Sequence, residues 1–397
     1  MRFESVQMRE IPLSAPDITD LERKAVWEVM NTKQLSLGPK LAEFEEMLAS
    51  YVGVRQAVAV NSGTSALHLC VKSLRLEDGD EVITSPFSFV ASANCLLYER
   101  VVPVFADIDP VTLNLDVSQV EGKITKRTKA ILPVHVFGLP CEMDALLTLA
   151  ETHHLRVIED ACEAIGASYG CKRVGSFGDC GSFAFYPNKQ MTTGEGGAVV
   201  TDDQEIAALC RSLRNQGRDD SGEWLAHVRL GYNYRLSEIQ SALGIAQLSR
   251  IADLLAGREE VASIYNRLLA GTEGICLPCR IAGSTRSWFV YVILLDQWFG
   301  RSQRDYLVRN LKKRNIACGK YFPPIHLLPF YARAFGYKAG DFPVAESVSD
   351  RAIALPFHSS LREDEICYVV EALDLELDEL RRNQSSARAG LLLSVGS

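Results

Sequence analysis

The 397-residue sequence lacks long apolar runs, blocks of basic residues and a regular spacing of cysteines. A membrane-spanning helix needs about 20 consecutive apolar residues, and the longest apolar stretches here are far shorter. The 42 basic residues face 50 acidic residues, so the formal net charge is −8. Both nucleic-acid binding and a position in a membrane are therefore disfavoured. Because 47% of the residues are hydrophobic and 23% are charged, we expect a soluble globular protein with a large core.

Cysteine is present without the spacing of a disulfide framework. The eleven cysteines are scattered, and the one close pair is Cys276 and Cys279. A CxxC pair can be a redox pair or half of a zinc site, but no second CxxC or histidine pair completes a tetrahedral set. We interpret the cysteines as reduced, mostly buried thiols of a cytoplasmic protein and expect no metal site. Residues 1–13 contain no apolar signal core, which disfavours secretion.

Short β-rich runs alternate with helical patterns over the first 250 residues. Helical spacing of apolar residues marks 18–32 and 41–51. We predict strands at residues 57–60, 81–84, 102–105, 130–134, 156–160 and 197–201. Strands that alternate with helical patterns of about 10–15 residues indicate an α/β fold with a largely parallel sheet covered on both faces. Ligands of such sheets bind at the carboxyl ends of the strands.

The alternation ends in a long helical pattern at residues 237–269, after which new strands (288–295) and helices (304–314 and 364–380) begin. We therefore predict a large domain of residues 1–250 and a smaller C-terminal α+β domain of residues 251–382. Residues 383–397 are small and polar apart from three leucines, and we expect a loosely ordered tail there.

Two segments place small polar or acidic residues directly after a predicted strand. Residues 60–69 run from a strand end through a turn with Gly63, Thr64 and Ser65 into a helix. The N-terminus of a helix binds phosphate through its free N–H groups, although an ordinary helix cap has the same sequence pattern. Residues 156–164 bring Asp160 to the same edge of the sheet. There a carboxylate can cap a helix, bind a metal or pair with a protonated ring nitrogen.

A third segment, residues 182–197, holds Lys189 between an aromatic strand and a glycine-rich turn. A lysine is ordinarily a solvated surface residue, but aromatic neighbours indicate partial desolvation, which favours the neutral amine that forms a Schiff base. A phosphate cup, a carboxylate after a strand and an enclosed lysine are together the groups that pyridoxal 5′-phosphate (PLP) requires. The combination is far more specific than any one of its members.

Ten segments then follow in order between about Ile11 and Leu380: LSLGPKLAEFE, NSGTSALHL, SPFSFVASAN, VFADIDPVTLNLD, VHVFGLP, IEDACEAIGA, FAFYPNKQMTTGEGG, GYNYRLSEIQSALG, PPIHLLPFY and LPFHSSL. On these segments the sequence resembles the DegT/StrS family of PLP-dependent sugar aminotransferases. The resemblance implies the PLP transferase fold of type I, which is that of aspartate aminotransferase. It also implies transfer of an amino group from L-glutamate to a keto-sugar attached to a nucleotide.

The resemblance assigns a role to several residues of the three segments. It implies that Lys189 is the Schiff-base lysine and proton shuttle and that Asp160 pairs with the pyridinium nitrogen. Phe89 is expected to stack on the pyridine ring, and Glu163 to lie near the ring hydroxyl. The phosphate contacts implied by the resemblance are Gly63, Thr64 and Ser65.

Other implied contacts are less direct. Many family members have a serine where this chain has Ala184, so the phosphate must rely on the 63–65 turn together with Asn233 and Ser182. Asn233 and Arg235 match a segment that reaches into the neighbouring subunit, which implies a homodimer with shared active sites.

The residues expected to contact the substrate are Tyr321, His326 and Arg235, although His326 has equal claim to be a core histidine. Further candidates are residues 37–39, residues 135–137, Trp288, and the basic residues Arg229 and Lys320 for a diphosphate.

Three alternative functions differ in their sequence requirements. A PLP-dependent sugar dehydratase or lyase could share the scaffold, but relatives with that activity replace the lysine by histidine, and Lys189 is present here. A nucleotide-binding dehydrogenase would need GxGxxG after the first strand, and residues 61–65 do not supply it. A non-catalytic binding protein would form no Schiff base. The sugar, the nucleotide and the carbon that is aminated are left open.

Overall fold

The computed structural model describes residues 10–219 and 226–394, with side chains in the last helix as far as Arg382. Its strands are β1 (Gln56–Val60), β2 (Glu81–Thr84), β3 (Val102–Phe105), β4 (Thr128–Leu132), β5 (Arg156–Asp160), β6 (Ser168–Tyr169), β7 (Lys172–Arg173), β8 (Cys180–Ala184), β9 (Gly197–Thr201), β10 (Ile275–Cys276), β11 (Ser284–Thr285), β12 (Tyr291–Leu295) and β13 (Ala352–Leu355). Its α-helices are α1 (Asp20–Met30), α2 (Pro39–Val52), α3 (Gly63–Ser73), α4 (Ala91–Leu97), α5 (Val117–Val120), α6 (Met143–Thr152), α7 (Gln204–Arg214), α8 (Glu238–Ser249), α9 (Ile251–Leu268), α10 (Arg301–Lys313), α11 (Pro329–Phe335), α12 (Pro343–Arg351) and α13 (Glu363–Ser394).

A seven-stranded sheet in the order β1-β9-β8-β5-β4-β2-β3 forms the larger unit. The pairs β2·β3, β2·β4, β4·β5 and β5·β8 are parallel, whereas β9 is antiparallel to both β8 and β1. Six strands therefore run in one direction, and β9 alone runs in the other. The carboxyl ends of these six strands, together with the start of β9, meet at one edge of the sheet.

Helices cover both faces of this sheet. In β1, Val58 and Val60 belong to the apolar cluster that includes α3, while Ala57 and Ala59 belong to the cluster on the opposite side that includes α2. All four residues are at most 2% exposed. A strand buried on both faces is an almost continuous apolar run, as the sequence predicted. The α/β fold with a largely parallel sheet is thus confirmed, with β9 as the antiparallel exception.

The beginnings of the helices that position the site are capped by local side chains. Ser62 precedes α3, and its hydroxyl accepts a hydrogen bond from the Ser65 N–H at 3.1 Å. Ser237 and Gln240 form a reciprocal capping box at the start of α8. At α1, Thr19 and Glu22 form the same arrangement. These caps satisfy N–H groups that have no acceptor within the helix, so each helix starts at a defined residue.

A second unit contains the antiparallel sheet β10-β12-β13, packed with α9, α10 and α13 around a separate apolar cluster. Ile11 belongs to this cluster and pairs with Ile316, and the Phe357 N–H donates to the Leu13 carbonyl. The chain therefore contributes residues near its start to the second unit, which a boundary at residue 250 does not describe. The division into domains of residues 1–250 and 251–382 therefore remains a prediction. The backbone of α13 continues as a helix to Ser394, beyond the predicted start of the tail at residue 383.

Candidate active site

A cavity of about 450 Å³ opens at the carboxyl edge of the large sheet. The segments after β1, β2, β5 and β8 contribute to it, together with residues 289 and 321–322 from the second half of the chain. Its lining residues are Ser62, Gly63, Thr64, Leu67, Phe89, Ala91, Ser92, Val134, Asp160, Cys162, Glu163, Ala184, Tyr186, Asn188, Lys189, Glu195, Gly196, Phe289, Tyr321 and Phe322. The topology thus brings together all three segments that the sequence singled out.

Lys189 lies in the loop after β8, and its side chain is 12% exposed. Its Nζ is 3.5 Å from the Glu163 Oε1 and 3.8 Å from the centre of the Phe289 ring. The backbone N–H of Lys189 donates to the Tyr186 carbonyl at 2.9 Å, which closes the turn. The amine is therefore enclosed between one carboxyl group and one aromatic face at the wall of the cavity.

Asp160 ends β5 and is 3% exposed. The Ser92 hydroxyl donates to its Oδ2 at 2.6 Å, and the Cys162 N–H donates to its Oδ1 at 3.0 Å. Both carboxylate oxygens are held, so the group has a fixed orientation.

Glu163 is 5% exposed and follows Asp160 by three residues. The Phe137 N–H donates to its Oε2 at 3.1 Å, and the Lys189 Nζ lies near its other oxygen. Burial raises the pKa of Glu163, an effect that the Lys189 charge and the Phe137 hydrogen bond oppose without cancelling. A carboxyl group with a raised pKa beside an amine can hold or accept a proton within the cavity.

The first turn of α3 forms one end of the cavity. Gly63 and Thr64 occupy the first turn, where backbone N–H groups have no acceptor within the helix, and both residues line the cavity. A Cβ atom on Gly63 would lie 2.6 Å from the Ala184 Cβ and 3.1 Å from the Cys162 Sγ. Only glycine permits this close approach of the helix to β8. The free N–H groups of such a helix start are able to bind an anion.

The cavity includes seven of the twelve residues predicted for the site. They are Gly63, Thr64, Phe89, Asp160, Glu163, Lys189 and Tyr321. The Phe89 ring is 58% exposed at the cavity wall, and the Tyr321 ring lies parallel to that of Phe289 with their centres 6.5 Å apart.

Five predicted residues do not line the cavity of their own chain. The hydroxyl of Ser65 bonds to Asn61 Oδ1 at 2.7 Å, and that of Ser182 to the Glu159 carbonyl at 3.3 Å. Both serines pack beneath the site, because the first turn of α3 and the pleat of β8 direct these hydroxyls toward their own neighbours. His326 is fully buried with its Nε2 3.0 Å from the Glu346 Oε1, so its core interpretation matches the structure and a sugar contact does not.

Asn233 and Arg235 lie in the extended segment before α8. Asn233 is exposed, and Arg235 donates to the Asn215 Oδ1 at 3.1 Å. Neither side chain reaches the cavity of the same chain, so any role in a site requires another subunit.

The further substrate candidates are also placed elsewhere. Trp288 donates from its Nε1 to Glu259 at 2.7 Å, and His135 is buried with its Nε2 3.1 Å from Glu159. Lys320 pairs with Asp305 at 2.7 Å. The remaining candidates, residues 37–39, residues 136–137 and Arg229, are not among the residues that line the cavity.

Two residues that contact Asp160 or Lys189 directly were not predicted from the sequence. Ser92 lies within the quoted segment SPFSFVASAN, three residues after Phe89, and this spacing would have predicted that both lie on one side of a helical turn. Phe289 follows the candidate Trp288, but the two residues belong to different apolar clusters. No local pattern indicates which of two adjacent aromatic residues faces a site formed by distant segments.

The cysteines of the chain form no disulfide bonds. All eleven cysteines are free thiols, six of them buried, and Cys276 is exposed. Within residues 10–219 and 226–394, no cluster of three or more metal-ligating side chains is present, and no helix has the length and apolarity to cross a bilayer.

Known proteins are similar to this chain in both sequence and fold. The profile of the DegT/DnrJ/EryC1/StrS aminotransferase family matches residues 16–374. The chain belongs to this family. It is 41% identical over 366 residues to a GDP-perosamine synthase of Caulobacter vibrioides, which covers 92% of this chain and 97% of that protein.

Solved structures agree with this assignment. The chain superimposes on Helicobacter pylori PseC, an aminotransferase involved in the biosynthesis of pseudoaminic acid, with a TM-score of 0.89 and 34% identity, covering 94% of this chain and all of that one. It also matches the PLP form of the putative sugar aminotransferase Spr1654 from Streptococcus pneumoniae, with a TM-score of 0.89, 28% identity and coverage of 94% and 99%. The type I fold, the dependence on PLP and the activity of a sugar aminotransferase are thereby confirmed.

Proposed function

We propose that the chain transfers an amino group from L-glutamate to a nucleotide-linked keto-sugar, with Lys189 and Asp160 as its catalytic residues. One observation carries the proposal. The Lys189 amine, the doubly held Asp160 carboxylate and the free N–H groups of α3 face a single cavity of about 450 Å³. PLP needs an amine, an acid for its ring nitrogen and an anion site, and the donors of this cavity match that set.

The cofactor would be held from three sides. Gly63 and Thr64 would bind the phosphate through backbone N–H groups, and the missing hydroxyl at Ala184 leaves this helix end as the main anion site within the chain. Asp160 would keep the ring nitrogen protonated, while Ser92 and the Cys162 N–H fix its direction. When bound, PLP supplies an electron sink for the bond that breaks at the amino-bearing carbon.

Lys189 would then move the proton. Once glutamate is bound, the free Lys189 Nζ would accept its α-proton. The same amine works in reverse when the keto-sugar accepts the amino group. The amine must stay close to the reacting carbon in both half-reactions, because it accepts a proton in one and donates a proton in the other. The positions of Glu163 and Phe289 restrict its motion. The aromatic face excludes water from one side of the Nζ.

Aromatic residues of the cavity would contact the sugar. Tyr321 lines the cavity, as do the exposed residues Phe89 and Tyr186. The GDP-perosamine synthase relative supports a nucleotide-linked substrate, because its name specifies a GDP-sugar product. No arginine or lysine other than Lys189 lines the cavity among the described residues. The diphosphate of such a substrate would therefore need cations from outside this cavity.

A homodimer with shared sites would supply them. Asn233 and Arg235 lie on the surface segment before α8 and do not reach the cavity of their own chain. In a two-fold dimer such a segment can complete the site of the partner. The exposed residues Phe89 and Tyr186 of the cavity also favour a covered rather than a solvent-facing site. We place this dimer in the cytoplasm, in keeping with the six buried free thiols.

The activity is tested by supplying L-glutamate and a panel of GDP- and UDP-linked keto-sugars and measuring 2-oxoglutarate and amino sugar. We expect turnover that requires both substrates and is lost in K189A. An alanine at the exposed Lys338 serves as the control. Turnover of the sugar without glutamate would favour the lyase alternative, and no product with any sugar would contradict the proposal.

Sharing of the sites is tested by mixing two inactive variants. In a hybrid of K189A and R235A, one site carries both lesions and the other carries neither if Arg235 serves the partner's site. Random exchange should then restore about a quarter of the parental activity. If Arg235 serves its own chain, mixing restores nothing, and if it serves no site, R235A alone keeps the parental activity.

A further inference from the structure

Arg258 on α9 is a buried guanidinium without a carboxylate partner. Its side chain is 2% exposed, and no carboxylate lies within ion-pair distance among the described residues. Burial lowers the pKa of Arg258 to about 10, so the group stays charged at neutral pH. An unpaired buried charge is costly unless several hydrogen bonds satisfy it.

Three backbone carbonyls accept those hydrogen bonds. The Nη2 of Arg258 donates to the Lys189 carbonyl at 2.8 Å, and its Nη1 donates to the carbonyls of Phe289 at 3.1 Å and Trp288 at 3.4 Å. Phe289 is the residue whose ring lies 3.8 Å from the Lys189 Nζ. One side chain therefore holds the backbone beneath the catalytic amine and the backbone beneath the aromatic face that covers this amine.

These contacts also join the two units of the fold. Lys189 follows the large sheet, whereas α9 and Trp288 belong to the apolar cluster of the second unit. The planar guanidinium can serve acceptors in two directions at once, which an ammonium group cannot do in the same geometry. The loop of Lys189 is thus tied to the second unit by charged hydrogen bonds rather than by apolar packing alone.

We propose that Arg258 is a positioning residue that fixes the Lys189 loop against Phe289 and thereby sets the reach of the catalytic amine. The proposal rests on the proposed role of Lys189. It does not require Arg258 to touch substrate or cofactor, since both terminal nitrogens of the guanidinium donate to backbone carbonyls.

A matched arginine allows a structural contribution to be separated from positioning. Arg304 on α10 is 6% exposed, donates to the Ser349 carbonyl at 2.7 Å and pairs with Asp305 at 2.6 Å, far in sequence from the site. We compare R258M, R258K and R304M, since methionine keeps the apolar stem and removes only the fork. Both methionine variants should lose thermal stability, and this loss alone has no bearing on the proposal.

The decisive readout is hydrogen–deuterium exchange of the peptide spanning residues 186–194 in the PLP-free protein. A hydrogen bond from a charged group changes an opening equilibrium by about 10- to 100-fold, and we expect exchange of this peptide in R258M to accelerate within that range. R258K should recover part of the protection, and R304M should match the parent in this peptide. Unchanged exchange in R258M would overturn the proposal, whether or not the enzyme is active.

Kinetics of the PLP-loaded protein give a second, independent readout. We expect kcat for the glutamate half-reaction to fall by about 10- to 100-fold in R258M while KM for glutamate changes by less than about threefold. R304M should retain both values. If the parent and R304M show no transamination while exchange responds as expected, the proposed function fails but the positioning of the loop stands. If R258M keeps the parental kcat, positioning fails and the proposed function stands.

Discussion

Gly63 offers the sharpest test of the phosphate site, because the structure shows which atom a side chain at this position would meet and which second substitution would remove that atom. In G63A the new Cβ would lie 2.6 Å from the Ala184 Cβ. Alanine favours a helix over glycine by at most about 1 kcal/mol. Overpacking of a buried contact costs about 1–3 kcal/mol, so the clash should outweigh the gain. We expect the first turn of α3 to shift away from β8, which moves the N–H groups that would bind phosphate.

The effect on PLP affinity follows from this cost. If the shift must be reversed when the cofactor binds, the dissociation constant of PLP rises by about 5- to 150-fold in G63A. Adding A184G removes the nearest atom and leaves the Cys162 Sγ at 3.1 Å and the Ala184 Cα at 3.4 Å. The dissociation constant of PLP for the double variant should therefore lie within about threefold of that for A184G alone, although G63A alone raises it.

Titration of the PLP-free protein with PLP, followed by absorption and by thermal unfolding, measures this series. G122A is the control, because a Cβ at Gly122 meets no atom within 4 Å and its backbone is not left-handed. G122A should retain the parental affinity. If G63A binds PLP as the parent does, or if A184G fails to rescue it, the close approach of α3 to β8 does not shape the anion site.

Two further predictions concern Asp160 and the acid stability of the fold. S92A removes the 2.6 Å hydrogen bond to the Asp160 Oδ2, which as a bond to a charged group contributes about 1.5–3 kcal/mol, and should slow the glutamate half-reaction at least tenfold in single-turnover kinetics. S73A, which removes a buried hydroxyl of α3 that donates to the Cys70 carbonyl, should not slow it, and equal rates in both variants would refute the role of Ser92. Burial alone would raise the pKa of Glu22, but hydrogen bonds from Thr19, Gln247 and Arg250 outweigh burial and lower this pKa from 4.5 to about 2. This stabilisation is present above pH 4.5 and is lost as the pH falls toward 2. In urea unfolding, E22Q should therefore have a free energy of unfolding about 3 kcal/mol below that of the parent at neutral pH, and the two values should converge at low pH. A constant difference across this pH range would contradict the assignment.

Much of the fold could be predicted from local sequence patterns. The strands at residues 81–84, 102–105, 156–160 and 197–201 were predicted with the bounds that the structure has, because each is a short apolar or β-branched run that ends at a polar turn. The direction of β9 could not be predicted. Residues 197–201 have the same buried pattern as the parallel strands, and strand direction depends on the path of the preceding loop rather than on composition.

The residues of the candidate site could be predicted where each follows a strand of the sheet. Lys189, Asp160 and Gly63 belong to segments whose order along the chain places them at one edge. Ser65, Ser182 and His326 were predicted as contacts because their segments approach the site, but the phase of a helix or strand decides which side chain faces a cavity. Arg258 has no local signal, since a helix with one buried arginine resembles any amphipathic helix. Its role depends on three carbonyls that are distant in sequence.

The absorption spectrum of the purified protein reports directly whether Lys189 forms a Schiff base with PLP. After incubation with PLP, we expect a visible band that disappears on addition of L-glutamate as an equal amount of 2-oxoglutarate forms. The same treatment of K189A should produce neither change, and K338A should behave as the parent does. A parent protein that shows no visible band after incubation with PLP, or a band that K189A retains unchanged, would contradict the assignment of Lys189 as the residue that links the cofactor.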